Sequence, residues 1–287
     1  IQKHQSSMEK EEWRPAAICI SEHSFEREKA LQMMKWISYQ HGFGTYFHYI
    51  QGYFDAETHS ESKRVLEQLI DSQRERGGTL YIDTMISPSY TSAIAQVIQT
   101  PSISGMENNM VVFEYDQRMP SEITRILDNI GLVRAGGFDV CLYAISEHLV
   151  RPENGMHVWI RDTDELNTNF MILLGYIILS HPDWRKSHIK IFLTSTKGEL
   201  EEVKKDLQIR VAAGRLPITL NNIEIVVTPS DMPFSRVVSE CSKTAALTLV
   251  GFCEEDLLQP DAADFFTRFD TVGDMLFVNS IEAKEIN

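Results

Sequence analysis

Along this 287-residue chain, two hydrophobic rhythms take turns. Short runs rich in β-branched and aromatic residues alternate with longer stretches whose apolar positions return at helical spacing. In the first half, the runs predict strands at Ala16–Ser21, Thr45–Phe54, Thr79–Ile86, Met110–Tyr115 and Phe138–Ile145. Helices are predicted near Phe25–Gln40, Ser60–Arg76, Ser89–Gln99 and Pro120–Val133. Val65, Leu66, Leu69 and Ile70 fall on one helical face, and Gly77-Gly78 stops that helix. The second half repeats the alternation, with strands at Met156–Arg161, Ile189–Leu193, Ile223–Val227, Leu247–Phe252 and Met275–Val278. Its helices are expected near Leu166–Ser180, Glu199–Ala213, Pro233–Ser242 and Ala262–Phe269.

Residues 1–12 lack an apolar period and read as a tether, and Trp13-Arg14-Pro15 leads into the first strand. Ser146–Gly155, with Pro152 and Gly155, is the expected boundary between a first α/β subdomain, residues 13–150, and a second, 151–287. Strands alternating with amphipathic helices imply parallel sheets with right-handed crossovers. The predicted fold is α/β: two tandem, doubly wound, mostly parallel-sheet domains of three-layer, Rossmann-like build. No residue-level repeat between the halves is evident.

One helix departs from the pattern. A helix covering a single sheet face needs one apolar stripe, yet Phe170 to Leu179 is apolar around its whole circumference. At about 15 Å this run is half the thickness of a bilayer core, so it does not span a membrane. Packed on one sheet only, its far side would stay wet at about 25 cal/mol per Å² of apolar area. It should therefore meet a second partner, either the other domain or another protomer, unless it is sandwiched within its own domain. The candidate interface residues are Phe170, Leu174, Ile177 and Ile178, with Trp184 as an anchor beside them.

Candidate chemistry is sparse. The first strand of each half opens onto a glycine-free, acidic turn, Glu22-His23-Ser24-Phe25 and Asp162-Thr163-Asp164-Glu165. Nucleotide-binding α/β domains carry glycines there, so that backbone N–H groups can approach a pyrophosphate. Nor do Gly131 to Gly137, or Gly251, complete the glycine-spaced loop of nucleotide-binding universal stress proteins. No cofactor is expected. His41 with His48, and His181 with His188, are spaced by seven but interrupted by Gly42, Gly44 and Pro182, and read as surface histidines rather than a metal site. Asp55 and His59 are a common i, i+4 pair. Asp83 and Ser87 follow a strand without a G-x-S-x-G elbow or a base. Asp162/Asp164 and Glu201/Glu202 read as exposed loop and helix carboxylates, so no catalytic residue is expected.

The formal charge of −14 and a pI near 5.1 argue against nucleic acid and against adsorption to anionic membranes. Cys19, Cys141, Cys241 and Cys253 form no C-x-x-C or zinc spacing and suit a reducing compartment. No signal peptide is visible, and a start at Ile1 fits a chain cut from something longer as well as a trimmed tag or a processed start.

Four segments in order carry a family resemblance. His157-Val158-Trp159-Ile160-Arg161-Asp162, the apolar helix, then Trp184-Arg185-Lys186-Ser187-His188-Ile189-Lys190-Ile191-Phe192 resemble, as one motif, the cytoplasmic C-terminal region of cation–chloride cotransporters. Trp13-Arg14-Pro15 resembles that family's entry motif, Gly105-Met106-Glu107-Asn108-Asn109-Met110 its glycine, Pro-Asn, strand segment, and Ser242 to Val250 its serine-led penultimate strand. The resemblance spans roughly residues 13–279. Departures are Asp162-Thr163-Asp164-Glu165 for an Asp-Asp-Gly-Gly turn, Asn108 for proline, and no Arg-Gly after Asn279. With no long acidic insertions, the chain looks like a prokaryotic-type member. The resemblance implies a universal-stress-protein-like fold and a homodimer on the cytoplasmic side of the cell membrane. It also implies contacts with the transmembrane domain and cytoplasmic loops of the same symporter of chloride with potassium, sodium or both. This part would be non-catalytic and regulatory, with no insertion into the bilayer and no ion path of its own. The alternative is a stand-alone, nucleotide-responsive module of tandem stress-protein type.

Overall fold

The structure, a computed structural model, describes residues 13–40, 42–74, 80–102, 107–148, 151–195, 202, 204–205, 207–209, 219–228, 232–269 and 271–285. Every strand read from the sequence is present. The first half holds β1 (Ala16–Ser21), β2 (Phe43–Gln51), β3 (Tyr81–Ser87), β4 (Met110–Asp116) and β5 (Asp139–Ile145). Its helices are α1 (Glu28–Ser38), α2 (Ala56–Arg74), α3 (Tyr90–Val97) and α4 (Pro120–Ala135). The second half holds β6 (Met156–Ile160), β7 (Ile189–Ser195), β8 (Ile223–Val227), β9 (Leu247–Gly251) and β10 (Asp274–Asn279). Its helices are α5 (Glu165–Leu179), α6 (Phe234–Cys241), α7 (Glu254–Leu257) and α8 (Ala262–Thr267). The expected helix at Glu199–Ala213 lies largely outside the described residues.

The strands form one ten-stranded sheet in the order β3-β2-β1-β4-β5-β10-β9-β6-β7-β8. Counted from its own first strand, each half has the order 3-2-1-4-5, and the second half is laid end to end with the first. Their fifth strands meet. β5 and β10 pair antiparallel, with Leu142 opposite Phe277 and Cys141 opposite Val278, whereas the other pairings are parallel. The central strands β1, β5 and β10 are buried at every position, which is why they read as unbroken apolar runs rather than alternating ones.

Helices cover both faces, and each face has a core that runs across the join. On one face Leu31 and Met34 of α1 belong to the same apolar cluster as Phe170 and Leu174 of α5. On the other, Ile126 and Ile130 of α4 share a cluster with Phe266 of α8 and Phe277 of β10.

Two local differences from the sequence reading have clear causes. The aromatic run after Thr45 suggested a strand to Phe54, but β2 ends at Gln51. The side chain of Asp55 accepts the backbone N–H groups of Glu57 and Thr58, both at 2.9 Å, and so caps α2 and draws its start forward to Ala56. The four-residue helix α7 had no apolar period to announce it; it is held by the Asp256 carboxylate, which accepts the Cys253 backbone N–H at 2.9 Å.

Candidate functional site

In open α/β sheets, ligands collect beyond the carboxyl ends of strands where neighbouring crossovers leave for opposite faces. Here those points are the β1/β4 and β6/β9 crevices. Both are occupied by the chain's own charged side chains.

At β6/β9, Arg161 follows the strand and turns inward. Its Nη2 donates to the Gly251 carbonyl at 2.7 Å and to Asp256 Oδ2 at 3.0 Å. Its guanidinium lies 5.5 Å from the Phe234 ring centroid and 5.3 Å from that of Phe265. Asp164 accepts the Arg161 backbone N–H at 2.8 Å and is wholly buried. The expectation that Asp162 and Asp164 are both exposed loop carboxylates is therefore corrected: Asp164 faces inward, because the strand-end N–H groups and Arg161 need an acceptor there. Gly251 is required by the same packing, since a Cβ at that position would sit 2.2 Å from Asp164 Oδ1. Burial works to lift the Asp256 carboxyl, but the Arg161 hydrogen bond and charge hold it below the usual range.

At β1/β4 the parts differ. Arg27 makes a bidentate pair with Glu122, at 2.6 and 2.5 Å, and stands 3.6 Å from Glu114. Glu114 is buried and accepts from Ser21 Oγ at 2.5 Å; burial pushes its carboxyl up, against the pull of Ser21 and Arg27. Arg125 pairs with Glu22 and lies over the Tyr90 ring. His23 faces Glu22, Glu26 and Glu122 at 3.3–3.7 Å. Below this layer Tyr46 OH donates to Ser24 Oγ at 2.9 Å, and Ser24 Oγ lies 2.6 Å from His48 Nδ1. His48 is thus a buried histidine rather than the surface one its sequence context suggested; burial lowers its pKa.

The apolar helix has found its second partner inside the chain. Phe170, Leu174 and Ile178 of α5 are fully buried, Ile177 is 4% exposed and Trp184 2%. With α1 of the first half lying against α5, these residues are core of the single chain rather than an open face for another protomer. Trp184 packs edge-on against Trp36 of α1 at 5.1 Å, and Asp183 accepts from Trp36 Nε1 at 2.9 Å and Gln32 Nε2 at 2.7 Å.

Polar latches beside this layer went unnoticed in the sequence. Asp274, opening β10, accepts from Lys29 Nζ at 2.7 Å, Tyr143 OH at 2.8 Å and Ser146 N–H at 2.9 Å. Lys284 and Asp139 form a buried ion pair at 3.0 Å. The only signal available was a carboxylate directly abutting the apolar strands at 139 and 274, where burial is forced and a partner must follow.

The segments that carry the cotransporter resemblance touch one another. Trp13 packs edge-on against Phe170 at 5.3 Å. Asn109 accepts from the Ala16 N–H at 2.9 Å and donates to the Arg14 carbonyl at 2.8 Å, tying the entry motif to β4. Trp159 Nε1 donates to Ser242 Oγ at 2.9 Å, with His157 Nδ1 2.8 Å from the same hydroxyl, which links the tryptophan-bearing strand to the serine-led one. These motifs are fasteners of the fold.

Solved structures share the architecture. The cytoplasmic domain of a prokaryotic cation–chloride cotransporter superposes with a TM-score of 0.64 at 14% identity, over 93% of this chain and 96% of that one. This chain shares its fold with that domain. A protein of unknown function from Pseudomonas aeruginosa (TM-score 0.54, 15% identity, 92% of each chain) has it too. So does a universal stress protein from Archaeoglobus fulgidus (TM-score 0.54, 9% identity, 96% of this chain and 98% of that one). No family model and no curated protein matches the sequence. Among the described residues, no group of three or more His, Cys, Asp or Glu is placed to hold a metal, and no helix is long and apolar enough to cross a membrane.

Proposed function

We propose that this chain is the non-catalytic cytoplasmic regulatory and dimerisation domain of a membrane cation–chloride symporter of sodium, potassium or both. The observation that carries this reading is the likeness of fold to a cotransporter cytoplasmic domain over nearly the full length of both chains, together with mutually packed motifs that resemble that family. The filled crevices favour it further, because Arg161, Asp164, Arg27 and Glu122 occupy the ground a phosphate would need. The shared helix layer and the Asp274 and Lys284 latches let the halves act as one body. Docking of that body biases the transporter between conformations, and a coupling of about 1–3 kcal/mol suffices for a 5- to 150-fold shift. In the homodimer the contact falls elsewhere than on Phe170, Leu174, Ile177, Ile178 and Trp184, which the chain buries itself.

The test is the reading frame upstream of Ile1, with sedimentation of the chain. A run of long apolar segments upstream and a dimer at high concentration support the proposal. A frame with no membrane part refutes the transporter reading, and a strict monomer removes the dimer. The rival reading, a stand-alone stress-protein-type module, rests on the likeness to the Archaeoglobus protein and requires saturable ATP binding.

A further inference from the structure

The rim of the first half, at the carboxyl ends of β1 and β2, presents aromatic side chains to solvent on a rigid frame. Phe25 is 50% exposed, Tyr53 78% and Phe54 73%. Phe25 stands on the β1–α1 turn, edge-on to His48 at 5.7 Å, and Tyr53 and Phe54 stand on the β2–α2 turn a few residues beyond His48. A loose loop would fold such side chains away. This one is pinned: Gly52 N–H donates to the Ser87 carbonyl at 3.0 Å, Thr58 Oγ1 to the Tyr53 carbonyl at 2.8 Å, and Asp55 N–H to Thr58 Oγ1 at 3.0 Å. Pre-organised aromatics of this kind suit binding, since little side-chain or loop freedom remains to be lost.

The fringe of the patch is acidic. Glu26, Asp55, Glu57 and Glu61 are exposed around it. The nearby cations Arg27 and Arg125 are engaged with Glu122 and Glu22; exposed His59 lies 5.2 Å from Phe54, and exposed Lys63 and Arg64 follow Glu61 by two and three residues on α2. Aromatic faces ringed by carboxylates attract guanidinium and ammonium groups both through the ring quadrupole and by charge. A second copy of this chain, at −14, would bring more negative charge to the same place. Cytoplasmic segments next to membrane spans carry the opposite sign, with an excess of Lys and Arg.

We propose that the Phe25–Tyr53–Phe54 rim is the surface that docks a Lys/Arg-rich, apolar-bearing cytoplasmic segment of the membrane part of the same polypeptide. This assignment rests on the transporter reading above and names the contact through which the domain would act.

The experiment uses the full-length gene product in its membrane, with Tyr53→Cys carrying a benzophenone photo-cross-linker and the products mapped by mass spectrometry. The expected result is a cross-link to a Lys/Arg-rich segment flanking a membrane span. Phe25→Ser with Phe54→Ser in the same background should lower its yield roughly tenfold, as loss of a central aromatic cluster does at other interfaces. The double variant's thermal melting, measured on the soluble chain, should match wild type, because these side chains are exposed. A cross-link to a second copy, or none, overturns the assignment while leaving the transporter reading in place. A gene product without membrane spans ends both, and the reading frame reports that separately from the cross-link.

Discussion

The β1/β4 and β6/β9 crevices occupy equivalent places in two halves of identical strand order, and each holds arginine against carboxylates and an aromatic ring, yet the groups around those arginines differ. The β6/β9 crevice is closed around one arginine. Arg161 meets Asp164 of its own turn and Asp256 of the turn after β9, and two phenylalanine rings flank the guanidinium. The β1/β4 crevice is closed by two arginines, Arg27 on Glu122 and Arg125 on Glu22, with Glu114 buried beside them on Ser21 and a histidine, His23, among the carboxylates. Topology makes the crevice without fixing which residues, if any, fill it. The halves therefore share a rhythm and differ in chemistry, and their titration behaviour should differ as well.

The largest expected effect lies in the layer both halves share. Phe170→Ala removes a fully buried ring and should cost about 3–5 kcal/mol. In urea denaturation that loss should be the same at low and high protein concentration. A loss that vanishes on dilution would instead place Phe170 in a contact between copies.

Next is Arg161→Met, which leaves wholly buried Asp164 and its neighbour Asp256 without their counter-charge. A destabilisation of about 3 kcal/mol is expected. A value near zero in chemical denaturation would mean that the β6/β9 plug is not held by charge.

The smallest effect separates the crevices by pH. The Asp256 carboxyl is held below its unfolded value, so its contribution is present at neutral pH and is lost as pH falls through the folded value. The Glu114 carboxyl is raised by burial, so the native state holds its proton more tightly and stability falls as pH rises through the folded value. At pH 7, Asp256→Asn should cost about 1 kcal/mol, and Glu114→Gln should cost nothing or stabilise slightly. Melting curves from acid to neutral pH check the signs, and equal losses in both variants would erase the contrast drawn here.

Much of the fold was legible because buried parallel strands are mostly apolar on both faces, as at Ala16–Ser21 and Met110–Asp116, and because amphipathic helices separate them. The apolar circumference of α5 correctly announced a second partner. That the partner was α1 could not be read, since nothing in Phe170 or Leu174 says whether the covering helix is in the same chain. The antiparallel β5–β10 join was likewise hidden: a strand's sequence carries its burial but not the direction of its neighbour. In the site, absent glycines were visible, but the groups standing in their place were not. Asp164 and Asp162 look alike on paper, and the spacing of the turn, which sets Asp164 back against the Arg161 N–H, is what turns one of them inward.

The central claim is that both strand-tip crevices are filled by the chain's own side chains, and an ATP titration followed by calorimetry and thermal melting tests it most directly. The account predicts no saturable heat and an unchanged melting temperature with ATP in large excess. Saturable binding, with the stabilisation of about 2.7 kcal/mol that a ligand at a hundred times its Kd must confer, would contradict it.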